Sequence, residues 1–176
     1  MWGLCLCKGN LREMLSEGCG SVTALSSRQK KGYPKNDEYY TPKSVFDHLG
    51  ITFDLDPCSP LEGSNVPAKQ TYSLPLDGLK APWFGLVWMN PPYSEMTPWV
   101  NKFMDHGNGV ALLPTAQSKW FSRVWAEADG ICLLPIPFKF DRPEGMRKTI
   151  FFPVALVAMG DVSYQALLAS NLGRVR

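Results

Sequence analysis

Asn90, Pro91, Pro92 and Tyr93 follow directly on an apolar run, and their residue types suit one kind of chemistry. Pro92 has no N–H and a fixed φ, and it holds Pro91 extended, so the Pro91 carbonyl faces outward with no following backbone donor. Beside it the Asn90 side-chain oxygen is a second acceptor. Two rigid acceptors converging on one point suit an NH2 group, and Tyr93 offers a flat face to a planar ring. The exocyclic amine of adenine is a weak nucleophile because its lone pair is delocalised. Two accepted hydrogen bonds favour a pyramidal nitrogen that can attack a sulfonium methyl in line, and preorganised dipoles of this kind contribute about 2.7 to 4 kcal/mol each. The same pair suits the cytosine amine or a glutamine side-chain amide.

The elements that must position this turn can be read from punctuation and periodicity. Thr41 and Pro42 read as an N-cap and first-turn proline, Val45, Phe46 and Leu49 as one helix face, and Gly50 as the stop. Ile51 to Asp56 alternates like a strand that delivers acids to its carboxyl end, and 56–67 reads as a loop. Trp83 to Met89 predicts a buried strand. Thr97 and Pro98 open a helix through about Met104, and Asn108 with Gly109 makes a turn. A strand over Val110 to Leu113, a helix over Ser118 to Ala128, and apolar runs at Ile131 to Leu134 and Ile150 to Met159 complete the set. Helices alternating with apolar strands predict an α/β domain with a largely parallel sheet, in which ligands sit at the carboxyl ends of strands.

The chain has 176 residues, enough for one ordinary domain. With 18 basic and 16 acidic residues its formal charge is +2, so a nucleic-acid partner would have to be met by a local patch. Five cysteines, an odd number without CxxC spacing, fit neither a disulfide framework nor a zinc site and predict a reduced, cytosolic setting without a metal. The apolar runs are far shorter than the ~18 residues of a membrane span, and residues 1–7 lack the features of a signal peptide. The expected organisation is an N-terminal arm over 1–35, a catalytic domain over 36–162 and a C-terminal tail over 163–176. The basic run Arg28 to Lys31 reads as part of a solvated tail or upstream extension, with a DNA-contacting arm as the alternative. There is no GxxxxGK phosphate cradle and no HExxH.

These residues resemble those of N6-adenine DNA methyltransferases, most closely the small phage-type Dam group, from about Asp37 to Gly160. The resemblance implies a Rossmann-like, S-adenosylmethionine-dependent methyltransferase fold reduced to a minimal single domain. It also implies S-adenosylmethionine as cofactor, double-stranded DNA as partner, and the cytoplasm of a bacterium or phage-infected host as location. It gives Asn90, Pro91, Pro92 and Tyr93 the catalytic role. Tyr40, Thr41 and Pro42 would help hold the cofactor's methionine part; Asp56, the strand-end acid within Phe53-Asp54-Leu55-Asp56-Pro57-Cys58, would face its ammonium with Pro57 beside it, and Asp77 would contact its adenine. Phe138 or Phe140 is a candidate second face for a flipped base. The loop after Asp56 departs from the paired-glycine pattern of many methyltransferases, having only Gly63.

Each position also has a plainer reading. Thr41 and Pro42 can simply start a helix, Asp56 and Asp77 can cap turns, and Phe138 and Phe140, two apart, can face a core. Lys139, Arg142, Arg147 and Lys148, with the two phenylalanines interleaved, form a DNA-facing wall or else an ordinary polar hairpin. A catalytically silent nucleic-acid binder or a small-ligand binding protein could keep the same crevice. A minimal core also predicts short or loose sequence specificity.

Overall fold

The computed structural model describes residues 39–61, 63–141, 148–150 (as strand only) and 152–176, all within the unit Lys31–Arg176. Its elements in chain order are α1 (Lys43–Leu49), β1 (Phe53–Asp56), β2 (Ala68–Thr71), β3 (Val87–Met89), α2 (Met96–His106), β4 (Gly109–Pro114), α3 (Lys119–Glu127), β5 (Gly130–Leu133), β6 (Phe138–Phe140), β7 (Lys148–Ile150), β8 (Val154–Met159) and α4 (Asp161–Ala169).

Six strands form one sheet in the order β2-β1-β3-β4-β8-β5. The pairs β1/β2, β1/β3 and β3/β4 are parallel, while β8 runs antiparallel to both β4 and β5, so β8 alone opposes the other five. The α/β class and largely parallel sheet expected from the alternation of elements are what is found. β3 is buried along its whole length, as are β4 up to Leu113 and β8 up to Ala158, because both faces of the sheet are covered. Strand alternation splits their side chains between two layers. Val87, Met89, Ala111 and Leu113 pack with Trp99, Val100 and Phe103 of α2 and Val124 of α3. Trp88, Val110 and Leu112 pack with Val45, Phe46 and Leu49 of α1 and Leu167 of α4.

Boundaries shift where a local signal has a tertiary competitor. Gly50 ends α1 at φ 63°, as expected, but the N-cap is Pro42, and no side chain caps the helix. Thr41 is drawn into the interior at 2% exposure, so its hydroxyl does not serve the helix start. The apolar run Trp83 to Met89 yields a strand only from Val87, since Gly85 turns the chain at φ 60° with the Asp54 carboxylate against its missing Cβ. α2 begins before Thr97, after a 3-10 turn over Tyr93–Glu95, and ends at Gly107, which takes the turn role expected of Asn108 and Gly109. The Ser118 side chain caps α3, accepting the Phe121 N–H at 3.2 Å.

The segment 163–176, read as a tail, contains most of α4, whose Ser163, Ala166 and Leu167 are buried. Beyond it, Arg176 exchanges two backbone hydrogen bonds with Ile131, and Val175 bridges Cys132, covering the edge strand β5. Among the described residues no helix is long and apolar enough to cross a membrane.

Candidate active site

β1 and β3 are parallel neighbours, so their carboxyl ends bring Asp56 and Asn90 to the same edge of the sheet. A cleft opens there, lined by residues from both strand ends and the loops beside them. Of the expected residues, Tyr40, Thr41, Asp56, Asn90 and Pro92 line it.

Asp56 is buried at 3% exposure, and its carboxylate accepts from the Cys58 N–H at 3.2 Å and the Ser64 hydroxyl at 2.8 Å. Burial raises its pKa to about 6, against the smaller opposing effect of those two neutral donors. A buried acid with only neutral partners is suited to receive a cation. Pro57 is buried but does not line the cleft. Its carbonyl is the surface that Gly78 must approach, since a Cβ at 78 would stand 1.9 Å from it. Asp77 also lies off the cleft lining: it accepts the Leu79 N–H at 3.0 Å and pairs with Lys80 at 3.2 Å, making the Asp-Gly turn of the plainer reading. Pro42 serves as the N-cap of α1.

The Asn90 amide is held in one orientation. Its Nδ2 group donates to the Tyr39 carbonyl at 2.8 Å, while its Oδ1 is buried without a hydrogen-bond partner among the described residues. An acceptor left open in this way, following Met89 of β3, is what the Asn-Pro-Pro-Tyr chemistry requires. Two further cleft residues carry buried polar atoms without partners among the described residues, the Thr41 hydroxyl and the Trp88 indole N–H. Unpartnered donors and acceptors converging on one cleft fit a polar ligand.

Tyr93 begins the 3-10 turn beside the cleft. Its ring stacks on Tyr39, with centroids 5.8 Å apart and planes 23° apart, and meets Phe140 and Phe152 edge-on at 6.5 and 6.1 Å. Its buried hydroxyl has no hydrogen-bond partner among the described residues, and burial, reinforced by Tyr39, pushes the phenol pKa up, so the group stays protonated. Phe140 is fully buried in the core, and Phe138 packs edge-on against it at 4.9 Å. Lys139 is exposed between them on β6. Arg142 and Arg147 lie outside the described residues, and Lys148 starts β7, paired with Phe140.

Residues not singled out by sequence complete the cleft. Ser59, Ser64, Asn65 and Leu74 line it, and Asn65 donates to the Thr41 carbonyl at 2.7 Å. The only local signal for Ser59, Ser64 and Asn65 is a Ser/Asn/Pro-rich loop, and Leu74, beyond β2, has none. Tyr39 stands out only as a member of the family-like segment Asp37 to Pro42, with no role of its own, and Phe152 carries no signal, since each matters through contacts far away in sequence.

An α/β sheet with a buried strand-end acid and an Asn-Pro-Pro-Tyr turn across one cleft defines the class of S-adenosylmethionine-dependent methyltransferases. Within it, the chain belongs to the Dam family, described as DNA N-6-adenine-methyltransferase, whose sequence profile matches residues 27–150. It is 31% identical over 128 residues to the DNA N-6-adenine-methyltransferase of Escherichia phage T1, covering 60% of this chain and 52% of that protein. To the DNA N-6-adenine-methyltransferase of Haemophilus phage HP1 (strain HP1c1) it is 33% identical over 116 residues, covering 58% of this chain and 66% of the relative. The match thus spans between half and two thirds of these relatives' length.

Proposed function

We propose that this chain transfers a methyl group from S-adenosylmethionine to the exocyclic N6 amine of an adenine flipped out of double-stranded DNA. The observation that carries the reading is the Asn90 amide, whose Nδ2 is occupied by Tyr39 while Oδ1 is buried and open. That oxygen and the Pro91 carbonyl would accept the two protons of the target amine and localise its lone pair. Tyr93 would pack against the base. When bound, S-adenosylmethionine supplies an electrophilic methyl on a sulfonium. Asp56 would hold its ammonium, and Tyr40, Thr41 and Trp88 would line its remaining contacts, with Thr41 and Trp88 pairing polar atoms that now lack partners. Lys139, Arg142, Arg147 and Lys148 would meet phosphates.

Flipping costs a few kcal/mol in lost stacking and is repaid by contacts to the extruded base. The test is transfer of labelled methyl to DNA followed by nucleoside analysis. N6-methyladenine is expected, abolished by Asn90→Ala and much reduced by Tyr93→Ala. Label on cytosine, or on protein alone, overturns the assignment.

A further inference from the structure

Tyr39, Tyr40 and Thr41 tie three separate parts of the site together. The Tyr39 carbonyl accepts the Asn90 amide at 2.8 Å. Tyr40 exchanges two backbone hydrogen bonds, of 3.0 and 2.9 Å, with Asp141 at the end of β6. The Thr41 carbonyl accepts from Asn65 in the loop after Asp56 at 2.7 Å. The three residues therefore form a strap from the hairpin, through the catalytic turn, to the loop beside the strand-end acid. Tyr39 grips twice, since its ring also stacks on Tyr93 and tilts against the buried Phe140 at 5.1 Å.

An asparagine amide offers a donor and an acceptor related by a half-turn about its last bond, and only one orientation presents the oxygen. In water the two interconvert freely. The Tyr39 carbonyl can accept but cannot donate, so it binds the NH2 end and rejects the oxygen end. We propose that Tyr39 is a positioning residue, its carbonyl fixing the Asn90 amide so that Oδ1 faces the target amine, and its ring anchoring that carbonyl against Tyr93 and Phe140. This rests on the methyl-transfer reading for the identity of the amine, but the orientation of Asn90 can be measured independently.

The experiment uses the full 15N-labelled chain. The Asn90 side-chain amide signals are identified by their loss in Asn90→Ala, and their exchange with water is compared in wild type, Tyr39→Phe and Tyr39→Ala. Exchange slowed about 5- to 10-fold relative to free side-chain amides is expected in wild type and Tyr39→Phe, and free exchange in Tyr39→Ala. In the same Tyr39→Ala protein kcat should fall about 100-fold, the scale of a misplaced reacting group. If Tyr39→Ala does not fold, Tyr39→Leu, which keeps the volume without the ring, gives the same reading. Free exchange of the amide in wild type, or protection unchanged in Tyr39→Ala and Tyr39→Leu, overturns the proposal. A protected amide that Tyr39→Ala releases, in a protein that labels no DNA adenine, upholds the positioning and sinks only the adenine assignment.

Discussion

The Ser64 hydroxyl donates a 2.8 Å hydrogen bond to the carboxylate of Asp56, eight residues earlier, and this neutral contact closes the loop after β1 around a buried acid. Across a cleft that also holds Asn90, the acid is charged near neutrality without a cation beside it, its pKa raised by burial to about 6. Binding of the positively charged cofactor should draw that pKa down again.

The first prediction follows from this sign. Affinity for S-adenosylmethionine should rise as pH increases through about 6, where Asp56 ionises, and Asp56→Asn should bind weakly with little change over the same window. Calorimetry between pH 5 and 8 checks it. Without ligand the effect on stability is reversed. Because the folded carboxyl holds its proton to higher pH than the unfolded one, stability falls as pH rises from about 4 to beyond 6, by about 3 kcal/mol in all. Urea unfolding should therefore show Asp56→Asn more stable than wild type at pH 8 and similar to it near pH 4.

Gly78→Ala should damage the cofactor site from outside the cleft. The new Cβ would stand 1.9 Å from the Pro57 carbonyl and 3.0 Å from the Trp99 ring, so Pro57 must move, and Asp56 is bonded to it. A loss of about 1 to 3 kcal/mol is expected from the overpacking, together with weaker S-adenosylmethionine binding. Unfolding and calorimetry on the same protein would show whether the two losses occur together.

Phe140 and Phe152 both approach Tyr93 but should separate cleanly. Phe140 is fully buried, and Phe140→Ala should cost about 3 to 5 kcal/mol by leaving a core cavity. Phe152 is 42% exposed, and Phe152→Ala should change stability by less than about 0.5 kcal/mol. If Phe152 shields the aromatic face at Tyr93, its loss should lower kcat/KM for DNA about tenfold, equivalent to about 1.4 kcal/mol. Methyl-transfer kinetics beside thermal unfolding distinguishes the two.

Lys102 gathers the carbonyls of Gly78, Leu79 and Ala81 at 3.0, 2.8 and 2.6 Å and lies 5.1 Å from the Trp83 ring centroid. This ammonium fastens the turn containing Asp77 onto α2. Lys102→Met keeps the stem but removes every donor, and a loss of about 1 to 3 kcal/mol by urea unfolding is expected. Lys102→Arg should recover part of it.

Much of the scaffold was legible because its signals are local. The αL stop at Gly50, the helix read over Ser118 to Ala128 and the buried runs of β4 and β8 each depend on a few adjacent residues and their backbone preferences. Thr41 misled as a helix cap because its burial in the cleft wall outweighs its local preference. Pro153 divides a run that periodicity alone reads as continuous, and the covering of β5 by Val175 and Arg176 turned an expected tail into part of the domain.

By itself the sequence determined that a buried strand would deliver an Asn-Pro-Pro-Tyr turn to the ligand edge of an α/β sheet, since apolar content and the missing proline N–H act where they stand. Only the tertiary structure decided which end of the Asn90 amide is free. The Tyr39 carbonyl that selects it is 51 residues away, and no local preference specifies where a distant backbone acceptor will come to rest. The same holds for the unpartnered Thr41 hydroxyl and Trp88 indole, whose isolation depends on every neighbour that packed without bonding to them.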